Sequence, residues 1–238
     1  MNDKIILEGA ISVKAAIESK SREIISIYVD KNKKDRNISY IINVAKNQGN
    51  KIIYSDKEKI SAITTKPGHG GICAEVSPRI FTPWNKIIDE ENPFIVLLDG
   101  IEDPYNFGDC IRSAYAAGAT GLFISERDWS NADAILARAS AGASEKLKTA
   151  KINDFLPVLY AAKEKNVTIV AADRKNAVPL NETTLSRPLI LAVGGRLRGL
   201  SKVIYDLSDM KVFIPYKNDF KNALSASAAC AVMCFSVH

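Results

Sequence analysis

Three segments of this chain leave the expected end of a strand carrying unusual residues, and in such folds ligands bind there. The first is Asp103-Pro104-Tyr105-Asn106-Phe107-Gly108, followed by Arg112. Asp, Pro and Asn favour a turn, and this turn opens a helical stretch for which Asn106 is a candidate cap. A helix start offers free N–H groups and a partial positive charge, which suit a phosphate. Arg112 falls near the second turn, within reach of that mouth. The plainer alternatives are that Asn106 only caps and Arg112 only forms a surface salt bridge. The second segment, Gly194-Gly195-Arg196-Leu197-Arg198-Gly199-Leu200, directly follows an apolar run. A glycine pair there permits close backbone approach to a ligand, or a tight turn and nothing more. It is not G-x-G-x-x-G and no P-loop lysine follows, so a dinucleotide fold of that type is unsupported. The third is Ile214-Pro215-Tyr216, then Leu224-Ser225-Ala226-Ser227-Ala228-Ala229. Small residues at a helix start let the backbone approach a ligand or another helix, and tight helix packing is the simpler reading.

Other chemistries find less support. The four cysteines, Cys73, Cys110, Cys230 and Cys234, form no C-x-x-C pair, and His69 and His238 are far apart in sequence. No metal site is expected, and buried reduced thiols are. No G-x-S-x-G elbow or paired carboxylates point to hydrolysis. No apolar run reaches the roughly 18 residues of a membrane span. The opening Met1–Lys4 lacks a secretory pattern, so a soluble cytoplasmic protein is the default. The net charge of +5 is unevenly spread: residues 1–80 carry 14 basic and 9 acidic side chains, the remainder 18 of each. A basic module beside a neutral one suggests a polyanion held by the first and chemistry done in the second, although a merely soluble surface fits as well.

The elements that must position these segments follow from hydrophobic patterning. The first module reads helix (Val13 to Ser19), strand (Ile24 to Val29), helix (Ser39 to Asn47) and strands at Lys51 to Tyr54 and Ile72 to Val76. Its breaks are the polar stretch 31–37 and the glycine-rich stretch 66–71. Three prolines and an acidic run mark 77–93 as a linker. The second module repeats strand, loop, helix. Phe94 to Asp99 is a continuous apolar run, as in a strand buried on both faces. Helices are expected from Asn106 to Gly118, Ala132 to Ala141, Phe155 to Lys165 and Leu224 to Phe235, with strands at Gly121 to Ile124, Val167 to Ala171, Pro188 to Val193 and Val212 to Ile214. This alternation predicts an α/β fold, a mostly parallel sheet covered on both faces, with ligands at the carboxyl ends of its strands. The domains expected are 1–78 and 94–238, with 79–93 as the linker between them.

Taken in order, the three segments resemble the signature motifs of the SpoU/TrmH RNA 2′-O-ribose methyltransferases of the SPOUT superfamily. Asp103, Pro104, Asn106, Gly108 and Arg112 match the first motif, Gly194, Gly195, Gly199 and Leu200 the second, and Ile214, Pro215, Leu224 and Ser227 the third. Ala139 to Ala143 also resembles the family, and the likeness covers roughly residues 94–236. The N-terminal module is similar to the ribosomal-protein-like substrate-binding domain of many members, through Gly9 to Ala16 and His69 to Ile72.

The resemblance implies a C-terminal trefoil knot, a feature that periodicity does not suggest. It implies S-adenosyl-L-methionine as cofactor, held by Gly194, Gly195, Gly199, Ile214 and Leu224, and ribosomal or transfer RNA as substrate. It also implies a homodimer through the knotted domain, with the active site near the interface. Arg112 would hold the target phosphate and aid activation of the ribose 2′-OH, by charge more readily than as a base. Asn106 and Ser227 would orient the nucleotide or Arg112. Two positions depart from the pattern: Arg196 stands where the family usually has Glu, and Ser225 where it has Asn. A non-catalytic RNA-binding relative is therefore the alternative reading. An unrelated Rossmann-like small-molecule enzyme is a third.

Overall fold

A computed structural model describes residues 5–65, 68–127, 129 and 132–238. Met1–Lys4, and Lys66 and Pro67 of the expected glycine-rich loop, lie outside the described residues. The chain divides into two compact units: Met1–Ile80 with Asp128–Lys146, and Phe81–Arg127 with Leu147–His238.

The first unit opens with β1 (Ile5–Glu8), α1 (Gly9–Ser19), β2 (Ile24–Asp30), α2 (Arg36–Asn47), β3 (Ile52–Ser55), α3 (Lys57–Ile63) and β4 (Ile72–Val76). Its sheet order is β1-β4-β2-β3. Only the β2–β3 pair is parallel. The sequence expectation lacked β1 and α3, both too short to show a period. Asp35 caps α2 by accepting from the N–H groups of Asn37 and Ile38. Ile38, Ile41 and Ala45 recur at helical spacing and are the buried face of α2.

The chain continues through α4 (Trp84–Ile88), β5 (Phe94–Asp99), α5 (Pro104–Ala116), β6 (Gly121–Ser125), α6 (Asp133–Ala139), α7 (Ala143–Lys146), β7 (Lys148–Ile152), α8 (Phe155–Glu164), β8 (Thr168–Ala172), β9 (Val178–Pro179), β10 (Leu189–Gly194), α9 (Lys202–Leu207), β11 (Met210–Phe213) and α10 (Ala226–Cys234). The second unit's sheet has the order β7-β6-β5-β10-β8-β11-β9, and its strand pairings are all parallel. Phe94, Ile95, Val96, Leu97 and Leu98 are buried, which explains the unbroken apolar run of β5. The expected parallel α/β fold is what the structure has.

Two stretches differ from the sequence expectation. Much of the stretch read as a linker is folded into the second unit: Ile87 and Ile88 of α4 are buried in its core, with Trp84 packed against it. Three prolines and an acidic run disguised one apolar helical face. Residues of α6 and α7 belong to the first unit, not to a continuous 94–238 block. Ala137 of α6 sits in the first unit's core with Val13 and Ile17. At Gly142 an added Cβ would lie 2.6 Å from the Cβ of Ala15.

Charge holds this insertion as well. The Glu145 carboxylate accepts from Arg22 Nε at 2.9 Å, Arg22 Nη2 at 3.0 Å, Arg79 Nη2 at 3.1 Å and Ser21 Oγ at 2.6 Å. Arg22 also reaches Asp133 at 3.1 Å. The side chains of Arg22 and Glu145 have no solvent exposure. Burial pushes the Glu145 carboxyl up, but the neighbouring Arg79 and Arg22 outweigh it and hold it below its ordinary value. Its contribution to stability is therefore full above the unfolded pKa and is lost as pH falls through the lower folded one. Glu145→Ala leaves two guanidinium groups without this counter-charge. It is expected to cost about 3–5 kcal/mol in urea unfolding at neutral pH, with the deficit against wild type shrinking on acidification. A loss below about 1 kcal/mol would contradict this account.

Candidate active site

All but Arg112 of the residues singled out in the sequence meet at the carboxyl ends of β5, β8, β10 and β11. Two cavities lie there, of about 200 and 440 Å³. The first is lined by all five expected ligand-binding positions: Gly194, Gly195, Gly199, Ile214 and Leu224. Phe213 and Met233 add apolar wall, and Asp173 adds a carboxylate. The second is lined by Glu102, Asp103, Asn106 and Ser225. Gly195, Arg196, Ala223 and Ala226 line both, so the cavities share a wall.

The glycine turn is held from one residue. β5 and β10 pair in parallel register with Gly194 opposite Asp99. The carbonyl of Asp99 accepts from Gly195 N–H at 2.8 Å, and its carboxylate accepts from Ser201 N–H at 2.7 Å. Gly199 N–H closes the turn onto the Gly195 carbonyl at 2.9 Å. The backbones approach so closely that a Cβ on Gly195 would stand 1.8 Å from the Gly100 carbonyl oxygen. Here the requirement for glycine is steric. Sequence reasoning gave Asp99 no role. The one available signal was a carboxylate ending a run of buried apolar residues.

The closing segment is fixed by Tyr216, whose hydroxyl accepts from Leu224 N–H at 3.0 Å. The Arg174 guanidinium stacks over the Tyr216 ring at 4.3 Å, a favourable cation–π contact. α10 begins at Ala226, later than the expected Leu224, because Ser225 is its cap and accepts from Ala228 N–H at 3.1 Å.

Asn106 and Ser227 are brought together. Ser227 Oγ donates to Asn106 Oδ1 at 3.0 Å. Asn106 Nδ2 donates to Asp103 Oδ2 at 2.9 Å. Ser225 and Ser227 hydroxyls lie 3.2 Å apart. Each hydroxyl has one proton, and that of Ser227 is committed to Asn106, so Ser225 donates to Ser227. The chain thus runs in one direction, from the α10 cap to the Asp103 carboxylate. It leaves the second Nδ2 hydrogen of Asn106 for a ligand. Asn106 is not the cap of α5, a correction to the sequence reading. Asp103 is, accepting from Asn106 N–H at 2.7 Å, with Pro104 at the first helical position.

Arg112 does not join this cluster. It lines neither cavity. It is exposed on α5, and among the described residues it has no hydrogen bond or ion pair. The expectation that it reaches the helix mouth of its own chain is therefore not met: a position six residues past Asn106 points to another side of the helix.

Cys110, Cys230 and Cys234 are buried where α5 meets α10, with Cys230 Sγ 3.7 Å from Cys234 Sγ. Hydrogen bonding to Cys230 and burial push the thiols of Cys110 and Cys234 up, away from thiolate. Burial likewise pushes Cys73 up to about 12. No group of three or more metal-ligating side chains occurs among the described residues.

Comparison with known proteins places this geometry. A family model described as the SpoU rRNA Methylase family matches residues 93–235. A second, described as RNA 2′-O ribose methyltransferase substrate binding, matches residues 6–81. A 23S rRNA (guanosine-2′-O-)-methyltransferase RlmB of Photorhabdus laumondii is 27% identical, covering 97% of this chain and 96% of its own. The RlmB of Shewanella oneidensis is 26% identical, covering 99% and 97%. The solved rRNA methyltransferase of Sinorhizobium meliloti shares the fold at a TM-score of 0.81 and 22% identity, over 99% of this chain and 86% of its own. So does AviRb of Streptomyces viridochromogenes in complex with the cofactor AdoMet, at 0.80 and 20%, over 98% and 88%.

Ser225→Ala removes the α10 cap and should cost about 0.5–2 kcal/mol in urea unfolding. Ser225→Asn supplies another capping side chain and should stay within about 0.5 kcal/mol of wild type. Equal stability of all three proteins would contradict the capping role.

Proposed function

Because the chain belongs to the SpoU rRNA methylase family, we propose that its two adjoining cavities carry out S-adenosylmethionine-dependent 2′-O-methylation of a ribose in RNA. The observation that carries this reading is the shared wall. Five positions expected to hold the donor line one cavity, and Asn106 lines the next. A donor and an acceptor placed there would be neighbours, which converts a bimolecular reaction into an oriented one.

The residues of the first cavity fit the donor. Apolar walls at Phe213, Ile214, Leu224 and Met233 suit an adenine ring and a thioether. The glycine turn lets the backbone approach, and the Asp173 carboxylate suits an ammonium or hydroxyl. Bound S-adenosylmethionine supplies an electrophilic methyl group. Asn106, with one amide hydrogen left over, orients the ribose in the second cavity. The apolar wall excludes water and so strengthens the electrostatic contacts made there. The exposed basic stretch Lys31, Lys33, Lys34 and Arg36 of the first unit suits the RNA backbone. The guanosine of 23S rRNA named for the RlmB relatives is the first substrate to try.

Arg112 gains a place if two copies pair. On the exposed side of α5 it shares a face with Tyr105 and Tyr115. Val232 on α10 and Phe235 at its C-terminal cap are also exposed. Helices presenting apolar side chains of this size suit a second copy. The homodimer then supplies Arg112 to the site of its neighbour, where the guanidinium favours the developing negative charge on the 2′-oxygen. No helix among the described residues is long and apolar enough to cross a membrane, and a cytoplasmic place beside the ribosome fits this substrate.

Wild-type protein should transfer tritium from labelled S-adenosylmethionine to ribosomal RNA from a strain lacking the gene, and Arg112→Ala should lose at least about 100-fold. If both are equally inert while both bind RNA, a binding-only role replaces this reading, the one that Arg196 in place of the usual Glu favours. Gly195→Ala should abolish donor binding by calorimetry, because the turn must move away from Gly100; unchanged affinity would refute the donor assignment. Co-expressed Arg112→Ala and Asn106→Ala chains should regain roughly a quarter of wild-type activity, since half the dimers are mixed and each mixed dimer keeps one intact site. No recovery would place Arg112 in the site of its own chain and contradict its supply by a second copy.

A further inference from the structure

Arg196 stands at the seam of the two cavities, lining both. Its backbone is fixed from either side. Gly195 is wedged against Gly100, and the turn is closed by the Gly199 N–H bond to the Gly195 carbonyl. The guanidinium itself is uncommitted: among the described residues it makes no hydrogen bond or ion pair. Two carboxylates, Glu102 and Asp103, line the same second cavity, yet neither pairs with it. The Asp103 carboxylate is occupied by Asn106. A fixed backbone carrying a free planar cation beside a nucleotide-sized space is suited to a two-oxygen anion.

We propose that Arg196 binds the phosphate on one side of the target ribose, making the seam the cationic part of the acceptor site. This rests on the RNA methyl-transfer reading above. Two anions come near the seam in that reaction, the RNA phosphate and the donor's carboxylate. The carboxylate arrives with its own ammonium and with the sulfonium, so the donor carries a net positive charge, and a further cation beside it is partly opposed. The phosphate arrives with no such compensation. A target ribose has a phosphate on either side, so Arg196 of one chain and Arg112 of a second copy can each take one. On this view the exchange of Glu for Arg at this position adds a grip on the acceptor strand.

The test compares wild type with Arg196→Ala, Arg196→Lys and Arg196→Glu. The readouts are tritium transfer to ribosomal RNA from the gene-deleted strain, filter retention of the same RNA, and calorimetric binding of S-adenosylhomocysteine. Arg196 is exposed, so the variants should fold, and circular dichroism checks this. Arg196→Ala should lower kcat/KM for RNA at least about tenfold and reduce the slope of log retention against log salt by about one. Binding of S-adenosylhomocysteine should stay within about twofold. Arg196→Lys should recover part of the loss and all of the salt slope, and Arg196→Glu should fall below Ala. An unchanged salt slope, or a loss confined to S-adenosylhomocysteine binding, would overturn the proposal, and the latter would assign Arg196 to the donor's carboxylate. If wild type transfers no methyl group, the enzymatic reading fails, and the salt slope of RNA retention still decides the phosphate contact.

Discussion

The site depends on a backbone-to-backbone contact at the ends of two neighbouring parallel strands. β5 and β10 finish in register, with Asp99 opposite Gly194. The loops that leave them are so close that nothing larger than hydrogen fits on Gly195 against the Gly100 carbonyl. Asp99 ties the second loop at both ends, through its carbonyl to Gly195 and its carboxylate to Ser201. Gly100 walls one cavity and Gly195 walls both. The close approach therefore sets the distance between the two spaces, and with it the distance between any two ligands bound there.

A second layer of contacts orients the groups that face those spaces. Tyr216 holds the backbone of Leu224, Ser225 starts α10, and the hydroxyl of Ser227 fixes the Asn106 amide. Each is an ordinary hydrogen bond worth about 1 kcal/mol to stability. Their value to function lies in direction: together they settle which atom of Asn106 donates and which accepts. Cys110, Cys230 and Cys234 fill the space between α5 and α10 as small apolar groups. In the first unit the same economy operates with charge, where one carboxylate, Glu145, gathers two arginines and a serine.

Much of this was legible in the sequence, and the limits have physical causes. β5 was read to its boundaries because a strand buried on both faces is apolar throughout. The five donor positions were placed by family resemblance, and glycine after a strand was the residue-level trace of the tight approach. β1, α3 and β9 escaped because two to seven residues carry too little periodicity. The role of Asp103 as cap was missed because Asp and Asn share capping chemistry and sequence alone does not choose between them. The placement of α6 and α7 with the first unit was invisible, since it rests on Arg22 and Arg79 meeting Asp133 and Glu145 across more than sixty positions. The stance of Arg112 away from both cavities follows from helix phase, which a count of residues along the chain ignores.

The most direct measurement of the central claim is a crystal structure of the full chain with S-adenosylhomocysteine. The account predicts density for that ligand against the Gly194–Gly199 turn, Ile214 and Leu224, with its sulfur facing the wall shared with the space around Asn106. Ligand density elsewhere on the protein, or a glycine turn left with no contact to it, would contradict the account.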